Sequence, residues 1–186
     1  KIHTRIGRII FNISQVTLHY LRNTPTYTSL LEGELAGHFG IPYQNRVSNV
    51  DSILQTIVSN MEVNHKRVTV TAGKFSGGLT VSILIKNFTD ILSLPGAVVV
   101  TERGDLLEWL NWLLTQGDRI IIRNYEVDIE PGTGRSGLAT MIPNDKSSWR
   151  VPPEFSGTIN NNWLTRTLKS KNYMSAIDQA IQKELQ

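Results

Sequence analysis

The hydrophobic period of the chain changes near Val63, and that change limits the possible folds more than any other feature. Before it, apolar residues recur at helical spacing. Ile6, Ile9, Ile10, Ile13, Val16, Tyr20 and Leu21 keep the three-, four- and seven-residue separations of one helix face, which predicts a helix over residues 2–22. It stops at Asn23-Thr24-Pro25, because Pro25 disfavours helix at the residue before it. Thr28 or Ser29 is the expected cap of a short helix through Leu30, Leu31 and Leu35, ending near Gly40 and Pro42. Ser48 is the expected cap of the next, whose apolar face is Val50, Ile53, Leu54, Ile57, Val58 and Met61. From Val63 the residues turn β-type. Val63–Ala72 and Leu79–Ile85 flank the Gly-rich link Gly73–Gly78, the pattern of a hairpin with a fairly long loop.

Further on, Phe88–Leu94 reads as a helical turn and Ala97–Thr101 as a short strand. Leu106 to Leu114, with Trp109 and Trp112, is apolar nearly all round and predicts a short, largely buried helix ending at Gly117. Ile120–Ile122 open a strand that alternates Tyr125, Val127 and Ile129 on one face with Glu126, Asp128 and Glu130 on the other. Gly132–Gly137 is a loop and Leu138–Ile142 a strand. Residues 144–162 read as an extended loop with Pro152, Pro153 and Gly157, and a helix or helix pair closes the chain through Trp163, Leu168, Ile177 and Leu185. Helices, then mostly β, then helix is the order of an α+β fold. The expectation is a small, mainly antiparallel β-sheet packed with an N-terminal amphipathic helix, short helices and a C-terminal helix. Residues 1–24 form the helical arm and residues 25–186 a single domain. Long loops such as 144–162 are often functional.

The absence of Cys excludes disulfides, thiolate metal sites and Cys nucleophiles. No apolar run approaches the ~18 residues of a membrane span, and the first residues do not read as a signal peptide. Net charge is +3, but it is unevenly spread. The first acidic residue is Glu32. Lys1, Arg5, Arg8 and Arg22 give the segment before it a net +4, and the rest is nearly neutral.

Gly132-Thr133-Gly134-Arg135-Ser136-Gly137 fits the G-x-G-x-x-G dinucleotide pattern, which needs a following helix whose N-terminus holds the pyrophosphate. A β-type run and Pro143 follow instead, so a connecting loop and no cofactor are expected. His3, His19, His38 and His65 show no metal-ligand spacing, and Ser136 sits in no nucleophile elbow. Glu126, Asp128 and Glu130 on one strand face read as a solvated face or a partner contact rather than a catalytic pair. Trp109 and Trp112 read as core. No catalytic, cofactor or metal site is expected, and no enzymatic activity.

The basic residues of the first helix recur at its own period: Lys1, Arg5, Arg8, Asn12, Gln15, His19 and Arg22. They are either a solvated polar face or a surface for an anionic partner. Solvated helix faces usually mix signs and gain from i,i+4 pairs, and this segment has no acid to mix. Contact with nucleic acid there would be through phosphates and non-specific, since no reading motif is present.

Gly134-Arg135-Ser136-Gly137-Leu138, Trp163-Leu164-Thr165-Arg166-Thr167-Leu168 and the final helix Ala176–Leu185 together resemble the neck, or tail-completion (head–tail joining), proteins of bacteriophages. Members open with an amphipathic helix, continue into a small antiparallel sheet, and carry a Gly-Arg turn before a strand and an aromatic/Leu/Arg/Leu segment before a last helix. The match is diffuse, and Asn160-Asn161-Asn162 stands where the family places proline. The resemblance implies a non-enzymatic virion protein, assembled in the host cytoplasm. It would form a homo-oligomeric ring that joins the portal/adaptor complex to tail tube, terminator or sheath proteins around the packaged DNA. Rings close through heterologous contacts. Lys1, Arg5, Arg8 and Arg22 are then the candidate DNA-facing residues. Ile6, Ile9, Ile13, Glu126, Asp128, Glu130, Trp149, Arg150, Phe155, Trp163 and Arg166 are the candidate subunit interface. The alternatives are a tail terminator of the same virion and a small, non-specific nucleic-acid-binding accessory protein.

Overall fold

A computed structural model describes residues 5–83 and 88–185, leaving aside the side chains of His65, Arg67, Val68 and Phe75. Lys1, expected to face DNA, and Ile85, expected to end a strand, lie outside the described residues. The fold is α+β. The strands are antiparallel and the sheets small, as expected: the described strands form three separate two-stranded ribbons. The core is therefore helical.

Helix α1 (Ile6–Arg22) buries Ile9, Ile13, Thr17, Leu18 and Leu21. Its long neighbour is α8 (Lys171–Leu185), which runs antiparallel to it. Arg5 meets Glu184, Thr17 meets Tyr173, and Tyr20 meets Asn172. Helix α2 (Pro25–Glu32) starts earlier than Thr28 or Ser29: the Thr24 hydroxyl accepts the Tyr27 N–H at 3.2 Å, and Pro25 takes the first helical position, where a missing N–H loses nothing. Ser29 instead accepts the Leu35 N–H and so starts α3 (Glu34–His38). A 3₁₀ turn at Tyr43–Asn45 leads into α4 (Arg46–Ser59), which leaves Ser48 inside the helix, its hydroxyl donating to the Asn45 carbonyl. The apolar face of α4 is buried as its spacing predicts.

Strands β1 (Glu62–Thr71) and β2 (Lys74–Ser82) pair into a long hairpin. Its turn is the two residues Ala72-Gly73, both at positive φ (49° and 74°), the geometry that matches strand twist. The expected long loop is thus ladder: Phe75 pairs with Val70 and Gly78 with Lys66. Gly78 sits at φ 136°, a backbone state that glycine reaches without strain. Helix α5 (Thr89–Leu92), a 3₁₀ turn at Pro95–Ala97, and the short pair β3 (Val99–Val100) and β4 (Leu106–Leu107) follow. Leu106 and Leu107 thereby leave the helix expected of them, and α6 covers Trp109–Thr115.

The third ribbon pairs β5 (Ile122–Asp128) with β6 (Thr140–Trp149). Asn144–Trp149, about a third of the loop expected over 144–162, is therefore strand. Pro143 misled the sequence reading: it lies opposite Tyr125, beside a register shift at Asn124, in a ribbon with two free edges where a missing N–H breaks no interior ladder. The remaining loop, 150–161, is tied down. The Gly117 N–H reaches the Gly157 carbonyl at 2.9 Å, and the fully buried Asn162 side chain donates to the carbonyls of Leu114, Thr158 and Ile159. Asn162 also forms a capping box with Thr165 that starts α7 (Trp163–Leu168), and α8 follows to complete the helix pair.

Candidate functional site

The basic face of α1 is not a free electropositive stripe. Arg5 donates to the Glu184 carbonyl at the end of α8, where an exposed C-terminal carbonyl and the helix dipole favour a cation. Asn12 donates to the Glu184 carboxylate at 3.0 Å. Arg22 is engaged by Asp51 of α4 through two bonds, Nε to Oδ1 at 3.2 Å and Nη2 to Oδ2 at 3.1 Å. Asp51 is also the acceptor of the Tyr27 hydroxyl, whose pKa burial and that carboxylate push up. Of the three described arginines expected to face DNA, Arg8 alone is exposed without a hydrogen-bond or ion-pair partner among the described residues.

Four residues expected at a subunit interface belong to the chain's own core. Ile9 and Ile13 lie buried in the hydrophobic core, Trp149 packs on Phe39 and Trp112, and Trp163 donates its indole N–H to Thr24 at 2.8 Å. Their spacing marked burial correctly but could not say against what. Ile6 is half-buried. Glu126 is half-buried and accepts from the Asn144 amide at 2.7 Å, while Asp128 and Glu130 are exposed. The strict alternation of that strand fails at Asn124, whose left-handed backbone (φ 62°) shifts the register. Arg150 is exposed, Phe155 packs against the core, and Arg166 reaches the carbonyls of Phe155 and Ser156 at 3.4 Å.

The Gly-rich loop closes on itself, the Gly132 N–H bonding to the Gly137 carbonyl at 2.7 Å, and β6 follows it directly. A Cβ at Gly134 would lie 2.1 Å from the Ala139 carbonyl, so this glycine serves close backbone packing. Ser136 is buried, and its carbonyl accepts from Arg46 at 2.6 Å. Arg46, which no sequence motif marks, is only 3% exposed and holds three segments together. It also donates to the carbonyls of Leu31 and Ile41. Burial pushes its guanidinium below its ordinary pKa, without bringing it near neutrality.

Two shallow grooves flank His38. One, of about 340 Å³, lies between α3 and the third ribbon and includes Tyr125, Arg135 and Trp112. The other, of about 360 Å³, includes Glu34, Arg150 and Glu154. Both ring nitrogens of His38 are engaged. Nδ1 accepts the Trp149 indole N–H at 2.8 Å, which makes Nε2 the proton carrier toward Glu34 at 3.1 Å. Burial pushes the His38 pKa below its ordinary value, with Glu34 and Glu154 opposing. A ring held this way is a structural connector, with neither nitrogen left for a substrate. Among the described residues no group of three His, Asp or Glu is placed to hold a metal ion, and no helix is long and apolar enough to cross a membrane.

The feature the sequence reading passed over is the first hairpin. From Asn64 to the turn and back to Gly77 its described side chains are exposed on both faces, and Val70 is 61% exposed. Among its described residues, Leu79, Val81 and Ile83 at the root pack against the core. Compared with protein-family models, curated proteins and solved structures, the chain matches none.

Proposed function

We propose that the chain is a structural subunit of a tailed-bacteriophage virion, closing into a ring at the head–tail junction between the portal/adaptor complex and the tail. One observation carries the reading. The hairpin of β1 and β2 projects from a helical body, and the described side chains of its outer half are exposed. A two-stranded hairpin is marginal in water by itself. Val70 near its tip is an apolar residue left 61% exposed. A neighbouring subunit supplies its cover, and a projection on one side of a body that docks on a different surface of the next is a heterologous contact, the kind that generates rings.

The element order adds support. An amphipathic helix, antiparallel ribbons, the Gly-Arg turn directly before β6, and Trp163–Leu168 directly before the last helix follow the order of the neck proteins that the sequence resembles. The test is location. Tailed particles purified from the producing culture should contain peptides of this chain, and a gold-labelled antibody against it should decorate the head–tail junction. Particles without the chain, or label confined to capsid or tail tip, would overturn the proposal.

A further inference from the structure

We infer that the outward polar face of the β1–β2 hairpin binds the phosphate backbone of duplex DNA, and that this ribbon, rather than α1, is the chain's nucleic-acid contact. The choice of duplex DNA rests on the virion reading. The charge argument does not.

That argument begins in the sequence. From Val63 to Thr89 there is no acidic residue, while Lys66, Arg67, Lys74 and Lys86 are basic. It is the second acid-free stretch of the chain, and its surroundings differ from those of the first. On α1 the structure engages Arg5 with the α8 terminus and Arg22 with Asp51. On the hairpin the register gathers polar side chains on one face, which Glu62 opposite Ser82 begins at the root. Asn64 pairs with Thr80, and Thr69 with Ser76, their hydroxyls 2.7 Å apart. Lys66 and Lys74 share that face. All six are exposed, and neither lysine has a hydrogen-bond or ion-pair partner among the described residues. Lys, Ser, Thr and Asn are the side chains that contact phosphates and sugars. Ten residues of β1 extend about 30 Å, and a two-stranded ribbon fits the major groove of B-DNA. The opposite face at the root carries Leu79 and Val81 against the body, so the polar face points away from it. Contacts of this kind go to phosphates and sugars, so binding is independent of sequence and sensitive to salt.

The test uses the full chain and a labelled DNA duplex of random sequence, with binding followed by anisotropy across a salt series. Wild type should bind, and Lys66→Gln with Lys74→Gln should lower the slope of log affinity against log salt by about 1.8, two phosphates' worth. Lys66→Arg with Lys74→Arg should restore it. Arg8→Glu on α1 should leave it unchanged. In wild type, saturating DNA should protect Lys66 and Lys74 from acetylation, a readout that needs no variant to fold. No binding by wild type, unprotected lysines, or a loss produced by Arg8→Glu alone would overturn the inference. Mass photometry of the same samples separates the two readings. Rings that keep their size in the Gln variant while losing DNA support both. A monomer that binds DNA through these lysines supports the inference and counts against the ring. A Gln variant that loses its rings and keeps its DNA makes the polar face a contact between copies, and overturns the inference.

Discussion

Arg46 places a charge in the interior with no carboxylate bonded to it. Its guanidinium is satisfied by the carbonyls of Leu31, Ile41 and Ser136. These come from the end of α2, the turn before α4 and the Gly-rich loop, so one planar fork fixes three segments. Arg46→Met keeps the bulk and loses every bond, and should cost about 3 kcal/mol of stability in denaturant unfolding, since single hydrogen bonds to charged groups contribute about 1.5–3 kcal/mol. Arg46→Lys should restore only part, because an ammonium cannot span the fork. His38 gives the pH dependence at this scale. Its native pKa lies below the unfolded one, so the unfolded chain takes up the proton first on acidification. Its contribution is complete above about pH 6.5 and is lost as the pH falls from there toward the native pKa. Protonation also ends the role of Nδ1 as acceptor for Trp149. The melting temperature should fall as the pH is lowered below about 6.5, and His38→Gln, which cannot titrate, should flatten that fall. An equal slope in the variant would assign the dependence to other groups.

The elements divide by how their signals arise. Helix faces were legible because burial repeats at the helical period: Ile9, Ile13 and Leu21 on α1, and Val50, Ile53, Leu54 and Ile57 on α4, are buried as their spacing indicates. Ile13 is 1% exposed, so Ile13→Ala should cost about 2–5 kcal/mol. Phe11, on the same helix but 62% exposed, should shift stability by no more than about 0.5 kcal/mol when changed to Ala. Chemical denaturation of the two variants checks the pair, and equal losses would contradict the placement of α1. Strand limits were less legible. Gly77-Gly78 and Pro143 are breakers by composition, yet both lie in ladders, because a two-stranded ribbon tolerates positive φ and a missing donor at its free edges. The capping residues were misplaced for a related reason: Thr24, Thr28, Ser29 and Ser48 offer equivalent hydroxyls, and only tertiary packing selects among them. The Trp149 half of the His38 connector had no local signal, since Trp149 stands 111 residues away, although Glu34 sits at i,i+4. The polar face of the hairpin did have one, a run without acids with Lys66 and Lys74 among hydroxyl residues, hidden by reading its second half as loop.

At the scale of the whole molecule the pieces are a helical body, a basic ribbon projecting from it, and a second ribbon held against α3. Trp109, Trp149 and Trp163 are buried within the chain, α1 packs on α8, and the candidate interface shrinks to the exposed Asp128, Glu130, Arg150 and Arg166 together with the hairpin. On the proposed reading, a neighbouring copy covers the hairpin. The central claim is therefore closed self-association, and native mass measurement of the purified chain over a dilution series tests it most directly. The account predicts a discrete species at a fixed multiple of 20.9 kDa, seen as a ring in negative stain and dispersed by Val70→Asp at the hairpin tip. A single 20.9 kDa species at every concentration would contradict it.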